Sequence, residues 1–243
     1  MKIAIANRKG GVGKSTTAAH LAAGLTELKQ RVLLIDMGPQ SQASKFFGIK
    51  PTGLSNVLEH GADPLENMHR LDSGLCILAD DKLPGTERVL NSEPLPHTAL
   101  SRRIEPIADR FDAIVIDTPP GLSTLAVAAM WAADRLLIPV QQEALAADGL
   151  RMFMDELRQL QQQAGREWPY MILPTMHDKR RKIHRQLLEA MQEQFGDRLQ
   201  EPIPEATAIS EAPAYGQTIY QYRPKHDAAL AYARLCGVYY HAG

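Results

Sequence analysis

The chain has 243 residues, 44% of them hydrophobic and 23% charged, with a formal net charge of −1, so it can bury a substantial core and is not a polycation. Any affinity for nucleic acid must therefore come from a local basic patch. Two cysteines without a C-x-x-C spacing argue against a disulfide framework and a structural zinc site, and they fit a cytoplasmic location. No apolar run reaches the ~20 residues of a membrane span.

Short apolar runs alternate with longer stretches of helical period along the chain. The apolar runs predict strands at residues 2–6, 31–36, 113–117, 135–140 and 170–175. The periodic stretches predict helices at residues 15–29, 99–110, 149–163 and 182–195. Residues 80–97, with three prolines, are predicted to be irregular or short helix. Strands that are apolar throughout predict an α/β fold, with a doubly wound, mainly parallel sheet flanked by helices in one domain over residues 1–243.

A glycine-rich loop joins the first predicted strand to the first predicted helix. It reads Lys9-Gly10-Gly11-Val12-Gly13-Lys14-Ser15-Thr16. Glycines let backbone N–H groups approach phosphate oxygens, and the helix N-terminus adds its positive dipole end. We therefore predict that residues 9–16 bind ATP, with the Lys14 ammonium on the phosphates and the Ser15 hydroxyl on Mg²⁺. The alternative, a glycine-rich turn before an ordinary helix, is disfavoured by the Gly-Lys-Ser ending.

Two predicted strands end in aspartates. Asp36 follows three aliphatic residues of the second strand, and Asp117 follows three of the third. The carboxyl ends of parallel strands face the ligand crevice, and Mg²⁺ prefers oxygen ligands. A single aspartate at a strand end is often only a cap for a turn. Two in one phosphate-loop protein predict a magnesium site formed by Ser15, Asp36 and Asp117.

Lys9, at the start of the loop, distinguishes this sequence from an ordinary phosphate-binding loop. From Asn7 to Thr17 the chain resembles the ParA/MinD family of P-loop ATPases, which carry the deviant Walker A signature K-G-G-x-G-K-[ST]. The resemblance implies that Lys9 contacts the nucleotide of a partner subunit, so that two ATP molecules are sandwiched in a homodimer. It also implies catalytic roles for Lys9, Lys14 and Asp36, and makes Asp117 the Walker B residue. The alternative for Lys9 is a solvated lysine beside an anion site.

One position departs from the family pattern. The family's D-x-D-P-Q segment reads Asp36-Met37-Gly38-Pro39-Gln40 here, with glycine in place of the second aspartate. Glycine supplies no carboxylate to orient or deprotonate the attacking water. We therefore expect ATP binding and dimerisation with weak hydrolysis. A naturally slow ATPase and a chain substituted at this position are both compatible with the sequence.

The resemblance extends along nearly the whole chain. Further similar segments lie at residues 83–87, 138–145, 174–180, 203–204 and 209–216, and the last of these is typical of partition ATPases. The resemblance places Pro204 close to the adenine. Glu205 and Ala206 stand where the family often has Arg-Asn, so an adenine contact by an asparagine side chain is not expected.

A basic cluster precedes and begins the predicted helix at 182–195. Its members are Lys179, Arg180, Arg181, Lys182 and Arg185, to which Arg223 and Lys225 are added from the C-terminal region. Cations spaced in this way neutralise phosphates without reading bases, which predicts nonspecific, salt-sensitive DNA binding. The alternative is a solvated helix face, since Glu189 and Glu193 follow on the same helix.

These features predict an ATP-dependent, dimerising DNA-partition ATPase, regulated by a ParB-like protein at a centromere-like site and associated with the nucleoid. The sequence does not identify whether the cargo is a plasmid, a chromosome or a protein assembly. A cargo-positioning ATPase of the same family and a non-hydrolysing ATP-dependent DNA-binding scaffold stay open as alternatives. A membrane regulator like MinD needs a basic amphipathic C-terminal helix. Residues 227–243 contain one arginine, Arg234, so no membrane partner is expected.

Overall fold

The computed structural model describes residues 1–80, 83–143 and 146–241 of the chain, apart from the side chains of Pro84 and Ala146. Within them, a seven-stranded sheet consists of β1 (Lys2–Ile5), β2 (Val32–Asp36), β3 (His69–Arg70), β4 (Cys76–Ala79), β5 (Ala113–Asp117), β6 (Arg135–Gln141) and β7 (Tyr170–Thr175). The strand order is β3-β4-β2-β5-β1-β6-β7, and only the β3–β4 pair is antiparallel. The predicted doubly wound, mainly parallel α/β fold is confirmed.

Helices cover both faces of this sheet. They are α1 (Lys14–Glu27), α2 (Gln42–Lys45), α3 (Leu54–His60), α4 (Pro64–Asn67), α5 (Leu83–Leu90), α6 (Ala99–Ile104), α7 (Thr124–Ala132), α8 (Ala146–Ala164), α9 (Lys182–Phe195), α10 (Thr207–Glu211), α11 (Ile219–Tyr222) and α12 (Asp227–Tyr240). Short 3₁₀ helices lie at Pro96–Thr98, Glu105–Arg110, Gly196–Arg198 and Ala212–Tyr215. Across the described residues, no helix combines the length and apolarity that crossing a membrane requires.

The sheet separates two hydrophobic cores. Because successive side chains of a strand point to opposite faces, Ile114 and Ile116 of β5 join one core while Ala113 and Val115 join the other. The first core is completed mainly by α3 and α5 to α8, and the second by α1 and α12. Burial on both faces explains why these strands are apolar at every position.

One predicted helix differs from the structure, and the prediction for residues 80–97 agrees with it. The predicted helix at 99–110 ends at Ile104 and continues as 3₁₀ helix, because Pro106 lacks the N–H for an α-helical bond and its ring crowds the preceding turn. Residues 80–97 contain the short helix α5, in agreement with the prediction of irregular structure or short helix, and Pro84 lies in its first turn, where a missing N–H is tolerated. Residues 81–82, and residues 144–145 of the similar segment 138–145, lie outside the described residues.

The topology brings the predicted site residues to one edge of the sheet. Strand β5 lies between β1 and β2, and Asp117 of β5 is paired in register with Ile5 of β1 and Asp36 of β2. The backbone N–H of Met37 donates to the Asp117 carbonyl over 3.1 Å, which continues the pairing beyond β2. The loop that follows β1 therefore begins beside Asp117, with Asp36 one strand further along the same edge.

Candidate functional site

The glycine-rich loop is held in a fixed, left-handed conformation. Gly11 and Gly13 have φ angles of 75° and 88°, a region in which a side chain is strained, and Gly13 precedes the first turn of α1. The Thr175 hydroxyl at the end of β7 donates to the Val12 carbonyl over 2.9 Å. The Gly121 N–H donates to the Arg8 carbonyl over 2.9 Å. The loop is thus anchored from two sides, and the N-terminus of α1 opens toward the space above the sheet edge.

Lys14 is a buried cation at the start of α1. Its ammonium donates to the Lys9 carbonyl over 3.0 Å, and only 7% of the residue is exposed. Burial lowers the pKa of Lys14, and the nearby Asp117 carboxylate opposes this effect. A desolvated ammonium with one carbonyl partner has donors left for an anion in the adjoining cavity.

Lys9 lies at the rim of the site and its side chain is half exposed. The ammonium pairs with the Glu143 carboxylate over 2.6 Å. Its backbone N–H donates to Asn7 Oδ1 over 3.0 Å, and the Asn7 amide donates to the Pro139 carbonyl over 2.7 Å. The backbone at Lys9 is therefore fixed, whereas its exposed ion pair contributes only about 0–1 kcal/mol and can be exchanged for another anion.

The Asp117 carboxylate is buried beneath the loop. Among the residues that the structure describes, neither of its oxygens has a hydrogen-bond partner of good geometry. Burial and then the Asp36 charge raise the pKa of Asp117 well above its usual range, while Ser15, Lys14 and the Thr118 backbone lie near enough to oppose the rise. Buried carboxylate oxygens without partners are costly. Two such acceptors facing Ser15 and Lys14 therefore fit a bound cation.

Asp36 lies beside Asp117 but has a full set of partners. Its carboxylate accepts from the Gly38 N–H over 3.0 Å, and from the Ser44 N–H and hydroxyl over 2.8 Å each. Burial raises the pKa of Asp36 above its ordinary value, and these bonds offset only part of that rise. Asp36 therefore fixes the course of residues 38–44 at the edge of the site.

Gly38 directly adjoins the two carboxylates. A Cβ placed on it lies 3.1 Å from Asp36 Oδ1 and 3.4 Å from Asp117 Oδ2. Its φ lies outside the left-handed region, so the backbone does not require glycine here. An aspartate at this position needs a shift of a few tenths of an ångström and adds a third negative charge to the cluster.

Two adjoining cavities lie over the carboxyl edge of the sheet. The first, about 370 Å³, is lined mainly by the glycine loop, the start of α1 and the Gly38 loop. The second, about 470 Å³, is lined by Pro204 and other residues of 203–213, together with Phe46 and Tyr232. Four residues line both cavities: Gly13, Thr16, Gln42 and Met176. An elongated ligand can therefore lie with an anionic end in the first cavity and an apolar end in the second.

The structure brings together Lys14, Ser15, Asp36 and Asp117 and places Pro204 in the second cavity. It also identifies lining residues that the sequence analysis missed, among them Gln42, Phe46 and Tyr232. Gln42 and Phe46 could have been predicted as lining residues, because they follow the Asp36 strand closely and ligands bind at the carboxyl ends of parallel strands. Tyr232 is brought in by α12 and has no local sequence signal.

The basic cluster lies on the surface at the start of α9. Lys179, Arg180, Arg181, Lys182 and Arg185 are all exposed, as are Arg223 and Lys225. Arg180 forms two bonds of 2.9 Å to Asp178, and these hold the pKa of that carboxyl well below its usual range. Residues 179–181 line a third cleft of about 570 Å³, whose other wall includes Glu205 and Asp227. The cluster is thus cationic at its outer side and partly neutralised inside the cleft.

Comparisons with known proteins agree with this geometry. A family model described as an AAA domain matches residues 1–168. The chromosome-partitioning ATPase Soj of Thermus thermophilus is 35% identical over 238 residues, covering 96% of this chain and 93% of the relative. The chromosome partitioning protein ParA of Caulobacter vibrioides is 34% identical over 246 residues, covering 96% and 91%.

One solved structure adds a bound nucleotide analogue. The cobyrinic acid a,c-diamide synthase of Mycobacterium smegmatis, crystallised with an ATP analog and magnesium, has a TM-score of 0.83 and 29% identity to this chain. It covers 98% of this chain and 93% of its own. The similarity therefore extends over the whole sheet and both cavities, beyond the glycine loop.

Proposed function

Because the chain belongs to the ParA/Soj family of P-loop ATPases, we propose that it is a partition ATPase that ATP converts into a DNA-binding dimer. The observation that carries this proposal is the convergence, at one edge of the sheet, of the glycine loop, the Lys14 ammonium and an Asp117 carboxylate that has no hydrogen-bond partner among the described residues. A ParB-like protein at a centromere-like site regulates the dimer, and the protein acts on the nucleoid in the cytoplasm.

ATP and Mg²⁺ fit the residues of the site. The backbone of residues 9–16 and the Lys14 ammonium bind the phosphates, and the base enters the second cavity beside Pro204. The Ser15 hydroxyl and the Asp117 carboxylate hold Mg²⁺, directly or through water, with Asp36 adjoining them. When bound, the metal supplies positive charge that neutralises the phosphate oxygens.

Lys9 serves the dimer in this proposal. Its backbone is fixed at the rim of the first cavity, and its ammonium reaches Glu143 through an exposed ion pair. Such a pair is weak enough to be replaced by the phosphates of a nucleotide bound to a second copy. ATP then joins the two subunits, because each nucleotide is contacted by Lys14 of one subunit and Lys9 of the other.

Hydrolysis is slow in this proposal, because Gly38 places no carboxylate where the Asp36 and Asp117 side chains meet. The same observation supports a second candidate, a non-hydrolysing scaffold that binds DNA when ATP is bound. A cargo-positioning ATPase shares all of this chemistry and differs only in its partner.

DNA binding is assigned to the basic cluster at residues 179–185 with Arg223 and Lys225. The side chains of the cluster are exposed lysines and arginines, which bind DNA phosphates without reading the base sequence. One cluster per subunit binds weakly, and two on one dimer bind together, which makes DNA affinity depend on the nucleotide.

Calorimetric titration of Mg²⁺·ATP into the wild-type chain and into Lys14→Ala tests the nucleotide site. We expect the wild-type chain to bind and Lys14→Ala to bind at least about tenfold more weakly, since a charge-assisted bond is lost. Lys29→Ala, at the exposed end of α1, is the matched control and should bind like the wild type. Equal affinities for all three chains would contradict the site.

A further inference from the structure

A buried histidine in α1 lies directly behind the wall of the second cavity. His20 has no exposed surface and is one helical turn beyond Thr16, which lines both cavities. Its ring joins the phosphate-loop helix to the C-terminal region, which supplies Tyr232 to the cavity. The proposed chemistry assigns it no role.

Its two ring nitrogens have different partners. Nδ1 lies 2.7 Å from the Thr16 carbonyl, which can only accept, so Nδ1 carries the proton. The Ile219 N–H, at the start of α11, donates to Nε2 over 2.9 Å. Both contacts require one neutral tautomer, and burial lowers the pKa of His20 to about 4, which keeps the ring neutral.

The ring also supports two aromatic side chains of the cavity wall. It stacks on Tyr232 with ring centroids 4.6 Å apart and an interplanar angle of 13°. Phe46 meets it edge-on, with centroids 4.9 Å apart. Phe46 and Tyr232 both line the second cavity, so the position of the His20 ring sets the position of this wall.

The packing around the ring leaves little freedom for it to move. A Cβ on Gly24, one turn further along α1, would lie 2.4 Å from Cys236 Sγ and 2.8 Å from the Tyr220 hydroxyl. That hydroxyl donates to the His20 carbonyl over 3.1 Å. Helix α1 and the C-terminal region are therefore in close contact, and the wall cannot adjust easily when the ring is replaced.

We propose that His20 is a positioning residue for the base of the nucleotide: by bonding Thr16 and Ile219 at once, it holds the Phe46–Tyr232 wall in register with the phosphate loop. The inference rests on the proposed function, because it assigns the second cavity to the base. It predicts that losing the ring weakens the binding of ATP but leaves the binding of the phosphate chain alone unchanged.

The test compares two ligands, Mg²⁺·ATP and Mg²⁺·tripolyphosphate, on the full chain by calorimetry. His20→Leu removes both hydrogen bonds and should raise the Kd for ATP about tenfold, with no change for tripolyphosphate. His20→Asn is milder, since its short amide reaches Thr16 but leaves the Ile219 N–H unpaired, and it should give a smaller loss. His20→Gln has a donor and an acceptor at the required reach and should restore most of the affinity for ATP.

Leu25→Val is the matched control. Leu25 is fully buried on the same helix but lies outside the lining of both cavities, so this variant should lose thermal stability without losing affinity for either ligand. If the His20 variants weakened the binding of both ligands equally, or changed the binding of neither, the inference would be wrong while the proposed function stood. If the wild-type chain bound neither ligand, both would fall.

Discussion

At the scale of single residues, the site combines positions that follow the family pattern with one that does not. Lys14 and Asp117 are both buried and interact electrostatically, and Lys14 lines the first cavity. Gly38 lies against the Asp36 and Asp117 carboxylates and has no side chain that could orient or deprotonate a water molecule there. If the proposed function holds, ATP binding and hydrolysis depend on different residues, and single substitutions should separate them.

Substituting Gly38→Asp should raise the rate of single-turnover ATP hydrolysis at least about tenfold, within the usual range for a positioned general base or water-orienting group. The affinity for Mg²⁺·ATP should change much less, because the phosphate contacts come from the loop and Lys14. Gly38→Asn, which has the same shape without the charge, is the control and should stay close to the wild-type rate. Fast and equal hydrolysis rates in all three chains would contradict the proposal that Gly38 limits hydrolysis.

Substituting Lys9→Ala should leave nucleotide binding by a single chain nearly intact and abolish dimerisation in ATP. The reason is that the Lys9 side chain contacts exposed Glu143 at the rim, whereas Lys14 lies inside the site. Sedimentation velocity with and without Mg²⁺·ATP measures the effect, and Arg8→Ala, its exposed neighbour, is the control. A Lys9→Ala chain that still dimerised in ATP would disprove the proposed contact across the subunits.

At the scale of elements, the ends of β2 and β5 hold two carboxylates side by side. Because Asp36 and Asp117 are paired in register, the sheet itself fixes their proximity. The sequence predicted this meeting, since both residues end strands that are apolar throughout. It did not predict that Ser44 satisfies the Asp36 carboxylate while Asp117 keeps both oxygens unpartnered within the described structure. Ser44 lies on the short helix α2, which the sequence analysis did not predict.

The free energy of unfolding should depend on pH through the buried Asp117 carboxylate. Its pKa is higher in the folded chain than in the unfolded chain, so the ligand-free protein loses stability as the pH rises from the ordinary carboxyl range toward that raised pKa. Asp117→Asn removes this charge and should raise the Tm of the ligand-free chain at pH about 8, with a gain that shrinks toward pH about 4.

The same substitution should abolish the stabilisation by Mg²⁺·ATP, because it removes the carboxylate assigned to the metal. Thermal unfolding across this pH range, with and without the nucleotide, measures both effects. Asp134→Asn, at a carboxylate outside the site, is the control. A lower Tm at high pH together with unchanged stabilisation by Mg²⁺·ATP would contradict the assignment.

The start of α9 should determine the salt dependence of DNA binding. Arg181→Glu with Lys182→Glu removes two exposed cations and should weaken ATP-dependent DNA binding and reduce the salt slope by about 2. Lys29→Glu with Lys50→Glu changes the net charge equally at other exposed positions and is the control. Unchanged binding and an unchanged slope in the α9 variant would place the DNA surface elsewhere.

At the scale of the whole molecule, one sheet carries two cores and presents both cavities at its carboxyl edge. The sequence predicted the strands well, because burial on both faces makes them recognisable by composition alone. It missed the strands β3 and β4 and the helices α2, α3, α4, α7, α10, α11 and α12. Helix α7 is apolar on every side and so has no period to detect, and α12 contributes to the site only through long-range packing against α1.

The proposed function depends most on one step, in which ATP converts this chain into a dimer that binds DNA. The most direct test measures binding to a DNA duplex of arbitrary sequence with Mg²⁺·ATP, with Mg²⁺·ADP and without nucleotide, together with the mass of the protein in each state. With ATP we expect a mass of about twice the 26.9 kDa of one chain and salt-sensitive DNA binding, and in the other two states the mass of one chain and little DNA binding. DNA binding of equal strength in all three states, or a mass that ATP does not change, would contradict it.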